Sequence, residues 1–150
     1  MASLVDTSIL VYRCDPRDQA KRAAATEVLR QGMASGEFRI CDQSLLEFVN
    51  VMTRARAGAP LMSPQDAAHQ ADFYMAQFPV LYPNEHQFRL ALYGMNTYRL
   101  AWFDAQLWAY AEHYGLREIL SEDFEHGCLY GSVTVRNPFL AYGLGYEEFL

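Results

Sequence analysis

The chain has 150 residues, 51% of them apolar, and a formal charge of −6 with a sequence pI near 5.1. That length fits one domain with a real core, and the apolar fraction argues against intrinsic disorder. The negative charge excludes bulk attraction for nucleic acid, which needs phosphates neutralised by Lys and Arg; a local contact, or one beside a bound metal ion, stays open.

Cys14, Cys41 and Cys128 are widely spaced and form no C-x-x-C, so reduced thiols are expected rather than a disulfide framework. The N-terminus has no basic leader segment, and Asp6 interrupts its first apolar stretch, so no signal peptide is expected. No apolar run approaches the ~20 residues of a membrane span. The expected setting is the cytoplasm, with no membrane contact.

Leu4-Val5 is an apolar run that ends at Asp6, and Ile9 to Tyr12 continues until Asp15-Pro16. This pattern predicts a buried strand and then a short helix stopped by proline. Arg17 to Ser35, rich in Ala, Arg, Glu and Leu and closed by Gly32 and Gly36, predicts a helix with a glycine stop. Phe38 to Cys41 is a compact strand. Gln43 to Arg56 is helical and ends at Gly58-Ala59-Pro60. Ser63-Pro64 opens a helix to about Gln77, with a cap residue followed by proline at the first helical position. Phe78 to Pro83 is a short strand between prolines. Asn84 opens a helix to about Thr97, and Asp104 opens another over Ala105–Tyr114, closed by Gly115. Glu118 to Leu120 is a strand, and Ser132 to Val135 alternates as a last, edge strand before Asn137-Pro138-Phe139. Strands separated by helices, without hairpin signals, predict an α/β domain: a mostly parallel sheet of about five strands with helices on both faces. A single domain spans 1–150, with residues from about 140 as a C-terminal tail.

Four acidic residues sit where an apolar run ends or a helix begins: Asp6, Glu47, Asp104 and Asp123. Each has a bland account. Asp6 and Asp104 would serve as helix caps, worth ~1 kcal/mol each, and Asp123 would serve in a turn. Glu47 shares a narrow polar wedge of its helix with Gln43, Ser44 and Asn50, opposite Leu45, Phe48, Val49 and Met52; periodicity leaves open whether that wedge faces solvent or an internal site. Together they say more. Asp6 and Asp123 each follow a strand at its carboxyl end, and in a right-handed doubly wound sheet those ends share one edge. Carboxylates gathered there repel one another unless a cation neutralises them, and hard oxygen donors suit Mg²⁺, with Mn²⁺ as a substitute. Without the metal, one carboxyl of the cluster carries a raised pKa.

Val5-Asp6-Thr7-Ser8, Leu45-Leu46-Glu47-Phe48-Val49-Asn50-Val51, Phe103-Asp104-Ala105-Gln106-Leu107-Trp108-Ala109-Tyr110-Ala111, Leu120-Ser121-Glu122-Asp123-Phe124 and Asn137-Pro138-Phe139 follow in this order along nearly the whole chain. The ordered set resembles a PIN-domain ribonuclease, and more closely a VapC-type toxin of a bacterial toxin–antitoxin pair. That resemblance implies a three-layer α/β/α fold and a Mg²⁺-dependent endoribonuclease that hydrolyses RNA phosphodiester bonds with a metal-activated water. The family's acidic positions fall on Asp6, Glu47, Asp104 and Asp123, with Asp6 and Asp104 as direct metal ligands; Thr7, Ser8 and Ser121 match its supporting polar positions. Implied partners are an antitoxin protein, the RNA substrate and a second copy in a homodimer. The sequence departs from the pattern at Phe103, where many relatives carry tryptophan.

Competing chemistries lack their residues. A haloacid-dehalogenase-like phosphatase needs an aspartate where Ser8 stands, and a receiver domain needs a late lysine where the only lysine is Lys21. A non-catalytic module of the same fold would not need all four carboxylates. His69, His86, His113 and His126 lack metal-ligand spacing, and Gly143-Leu144-Gly145 lacks the lysine of a phosphate loop. Arg13, Arg17, Lys21 and Arg22 cluster after the first strand, as a solvated helix face or an RNA-backbone contact. Tyr93, Tyr98, Trp102 and Phe103 crowd a segment without amphipathic period, a pattern that suits a partner surface.

Overall fold

The computed structural model describes residues 2–144. In chain order the elements are β1 (Ser3–Val5), α1 (Thr7–Cys14), α2 (Gln19–Ser35), β2 (Phe38–Cys41), α3 (Asp42–Thr53), α4 (Pro64–Gln77), β3 (Val80–Leu81), α5 (Glu85–Thr97), α6 (Trp102–His113), β4 (Glu118–Leu120), β5 (Leu129–Tyr130), β6 (Val133–Arg136) and a 3₁₀ turn, Pro138–Tyr142. The sheet has the order β3-β2-β1-β4-β6-β5. Every pairing is parallel except that of β5 with β6.

Successive strand residues point to opposite faces, and this builds the layers. Val5, Ile40 and Leu120 pack on one side with Ile9 and Leu10 of α1, Val28 and Leu29 of α2, Phe48 and Met52 of α3 and Tyr74 of α4. Leu4, Cys41 and Ile119 face the other side, against Ala91 of α5 and Leu107, Trp108 and Ala111 of α6. The result is the α/β/α sandwich expected. Helices α5 and α6 approach closely because Gly94 has no side chain: a Cβ there would lie 2.6 Å from Trp108 Cε3. The indole is fixed in turn by its Nε1, which donates to Tyr130 O at 2.9 Å.

Four readings change. The sheet has six strands, because Gly131, at φ 59°, turns β5 back onto β6 as a hairpin. That hairpin moves the edge from β6 to β5. Helix α6 starts at Trp102, with Ala101 in the capping position and no side-chain cap bond, so Asp104 sits inside the first turn rather than before it. Tyr98 and Trp102 pack against the second core, leaving Tyr93 and Phe103 exposed. Of the C-terminal tail, Leu144 packs against the first core; residues 145–150, which include Gly145, lie outside the described residues. All three cysteines are free. Among the described residues, no helix is long and apolar enough to cross a membrane.

Candidate active site

β1 and β4 are neighbours, with Val5 opposite Leu120, and the sheet runs from them in two directions, β2-β3 one way and β6-β5 the other. A crevice opens at such a switch point, outside the carboxyl ends of the strands. The residues after those ends are Asp6 and Ser121. They are locked together, since Asp6 N donates to Leu120 O at 3.0 Å and Ser121 Oγ donates to Asp6 Oδ2 at 2.6 Å. Ser121 Oγ also accepts from Asp123 N at 3.0 Å, so one hydroxyl positions both aspartates.

Asp6 does cap α1: its Oδ1 accepts from Thr7 N at 2.6 Å. The bland account therefore holds for one oxygen, while the second accepts from Ser121 at the crevice. Thr7 Oγ1 reaches α3, donating to Glu47 Oε2 at 2.8 Å. Gln43, one helical turn earlier, donates from Nε2 to Glu47 Oε1 at 2.8 Å and to Phe103 O at 3.1 Å. The polar wedge of α3 is thereby resolved. Gln43 and Glu47 turn inward and tie α3 to the first turn of α6, where Asp104 projects. Ser44 is buried behind them on Cys41, and Asn50 is exposed.

Asp6, Glu47, Asp104 and Asp123 line one cavity of about 310 Å³ together with Thr7, Ser8, Tyr12, Gln43 and Phe103. Asp6 is only 6% exposed. Burial pushes its carboxyl well above the usual carboxylate range, Ser121's hydrogen bond pulls it partly back, and the charge of Asp123 raises it again. Asp123 and Asp104 are also raised, first by burial. The raised carboxyl anticipated from like-charge repulsion is present, but desolvation is its larger cause. Among the described residues none of the four is in an ion pair. Arg17, which also lines the cavity, is taken by Asp15 at 2.8 Å.

Two buried polar atoms of the lining, Ser8 Oγ and Gln43 Oε1, have no hydrogen-bond partner. Unneutralised carboxylates with spare oxygen acceptors fit a hard divalent cation. Among the described residues no group of three His, Cys, Asp or Glu is placed to hold a metal.

Sequence reading missed Tyr12 and Gln43 in this lining, although Gln43 stands four residues from Glu47, and Tyr12 four from Ser8, on their helices. It also missed the brace behind Asp123. Lys21 Nζ contacts Glu122 Oε2 at 2.7 Å and donates to Tyr12 OH at 3.2 Å, and Tyr12 OH donates to Glu122. The histidines do not line the cavity. His126 Nδ1 accepts from Asn137 N at 3.1 Å, while His86 and His113 pair with each other through their Nδ1 atoms at 2.7 Å.

The PIN domain profile matches residues 3–127, and the chain belongs to the PIN-domain family. Among solved structures it is similar to VapBC2 of Rickettsia felis bound to a DNA fragment from its promoter, with a TM-score of 0.66, 9% identity and coverage of 91% of this chain and 98% of that one. A toxin–antitoxin complex from Klebsiella pneumoniae follows at TM-score 0.64 and 16% identity, over 91% of this chain and 98% of that one. VapC20 of Mycobacterium tuberculosis, a sarcin–ricin loop cleaving toxin, has a TM-score of 0.61 at 16% identity, covering 81% of this chain and 92% of that one. At these identities the likeness is one of fold. No curated protein matches.

Proposed function

We propose that this protein is a metal-dependent endoribonuclease, the toxin of a toxin–antitoxin pair, acting in the cytoplasm and working as a homodimer. The observation that carries the reading is the uncompensated cavity: Asp6, Glu47, Asp104 and Asp123 face one space, and among the described residues no cationic side chain forms an ion pair with any of them. Phosphodiester hydrolysis on RNA is the reading that the family membership supports, and one structural neighbour, VapC20, is named for cleaving the sarcin–ricin loop. They also point to an antitoxin as partner, since the Rickettsia and Klebsiella neighbours are complexes of that kind.

Asp6 and Asp104 would hold Mg²⁺, or Mn²⁺ in its place. The ion would supply a Lewis acid for the phosphoryl oxygens and lower the pKa of a water. The rest falls to the chain. Ser121 fixes the Asp6 carboxylate. Thr7 and Gln43 occupy one oxygen each of Glu47, which orients it as a hydrogen-bond acceptor toward the attacking water. Asp123, half-buried with a raised affinity for protons, accepts the proton that the water gives up. Phe103, 64% exposed at the rim, offers a ring face on which an unpaired base stacks.

The test is cleavage of RNA with Mg²⁺ or Mn²⁺ present and after chelation, for the parent and for Asp104→Asn. The parent is expected to cleave only with metal. The variant is expected to lose activity by at least about a hundredfold while keeping the parent's circular dichroism; cleavage at the parent rate would refute the assignment.

A further inference from the structure

The cationic cluster after β1 divides in two. Arg17 is committed to Asp15 and Lys21 to Glu122. Arg13 and Arg22 have no carboxylate partner among the described residues, and it is these two that line a separate cavity of about 350 Å³ with Cys14, Thr26, Met62 and Gln70. Arg13 is held in place by neutral groups. Its Nη1 donates to Gln70 Oε1 at 2.8 Å, and its guanidinium lies 4.5 Å from the centroid of the Phe73 ring. Arg22 stands exposed on α2. Two uncompensated guanidiniums beside a pocket, in a chain of net charge −6, form a local anion site.

Position gives the site its meaning. Helix α1 carries Thr7, Ser8 and Tyr12 on the acidic cavity and Arg13 on the basic one. Thr7 and Arg13 are ~9 Å apart along the helix axis at 1.5 Å per residue. A polynucleotide cleaved at the carboxylates brings its next phosphates within reach. An acidic chain must supply its attraction locally, because its overall field repels the substrate. Apart from Met62, the lining is guanidinium, amide, hydroxyl and thiol, which suits a phosphate better than an apolar peptide face.

We propose that the Arg13–Arg22 pocket binds backbone phosphate of single-stranded RNA flanking the scissile bond. The proposal rests on the ribonuclease reading for the identity of the polymer. Its test is independent of cleavage. Binding of a labelled single-stranded RNA is measured against salt in the presence of chelator, with every variant in the full-length Asp104→Asn background. Each phosphate contact contributes about 0.7 to the slope of log K against log salt for a single strand. Arg22→Ala is expected to lower the slope by about 0.7, and Arg13→Gln with Arg22→Ala by about 1.4. Arg30→Ala, which breaks only a surface pair with Glu27, leaves the slope unchanged. Arg22→Ala alone keeps the test valid should Arg13→Gln disturb its packing. Slopes unchanged in the Arg22 variant overturn the proposal, as does a loss confined to binding of an acidic protein partner. Failure of the parent to cleave RNA under Mg²⁺ overturns the ribonuclease reading instead, and the two results are read separately.

Discussion

At the scale of the residue, Asp6 sets the terms. It is buried and faces Asp123, and together these outweigh the two hydrogen bonds it receives from Thr7 N and Ser121 Oγ, so its protonated form is favoured whenever no cation is present. An acid whose folded pKa lies above its unfolded value contributes stability that is complete below the unfolded value, near pH ~4, and lost as pH rises through the folded one. Asp104 and Asp123 shift in the same direction. Asp15, lowered by its hydrogen bonds from Arg17, works the other way and loses its contribution only in acid. The metal-free protein is therefore expected to melt higher as the pH falls from neutral toward 5, and lower again below about 4. A divalent cation competes with those protons, so its stabilisation, ~2.7 kcal/mol at a hundredfold excess over Kd, should grow as the pH rises. Thermal melts across this range, with chelator and with Mg²⁺, check both slopes. Asp6→Asn should flatten them, and a Mg²⁺ effect indifferent to pH would count against Asp6 as a ligand.

At the scale of the element, the brace behind Asp123 joins three pieces of chain. Tyr12 of α1 and Lys21 of α2 both bind Glu122, which lies between Ser121 and Asp123 after β4. Neither partner of the ion pair is more than 20% exposed, so Lys21→Met leaves a largely desolvated carboxylate. The expected cost is about 1–3 kcal/mol in a denaturant titration. Misplacing Asp123 should also lower kcat by up to about a hundredfold, with KM changed less. Adding Glu122→Gln to Lys21→Met removes the unpaired charge and keeps an acceptor for Tyr12, so it should recover most of both losses. Unchanged kcat in Lys21→Met would reduce the brace to a stabilising contact. No sequence pattern announces this brace, because Lys21 and Glu122 are far apart in the chain and meet only because β1 and β4 lie side by side in the sheet. What was legible is local or periodic: the Leu4-Val5 and Ile119-Leu120 pairs that face opposite layers, the Ser63-Pro64 start, and the carboxylates that follow strand ends. The start of α6 was misread because an aspartate looks like a cap. In the structure Trp102 holds that first turn, its ring 5.4 Å from that of Phe88. The β5–β6 hairpin was missed because β5 has two residues, too few for an alternating pattern, although Gly131-Ser132 is a two-residue hairpin turn.

At the scale of the molecule, the acidic cavity has an apolar neighbour. Leu45, Leu46, Val49, Met75 and Tyr82 surround a groove of about 500 Å³ between α3 and α4, and Leu46 is 65% exposed. Leu46 also borders a second apolar recess with Phe88 and Phe103, so it stands at the seam of a continuous exposed patch. Patches of this kind on a folded chain mark association surfaces, and in a two-fold dimer each residue of the patch is used twice. If the proposed homodimer uses this patch, Leu46→Glu would place two unpaired carboxylates in its interface, at a cost of several kcal/mol. The dimer Kd should rise by at least a hundredfold, since ~1.4 kcal/mol is tenfold. Sedimentation velocity over a concentration series reads the effect, with circular dichroism to verify folding. Leu46 and Glu47 are consecutive, one on the apolar groove and the other on the acidic cavity. Phe103 borders both the recess and the cavity. Separation of the subunits should therefore also slow RNA cleavage at enzyme concentrations below the variant's Kd, with recovery above it. A parent chain that sediments as a monomer at every concentration would remove the homodimer and leave this surface to a different protein.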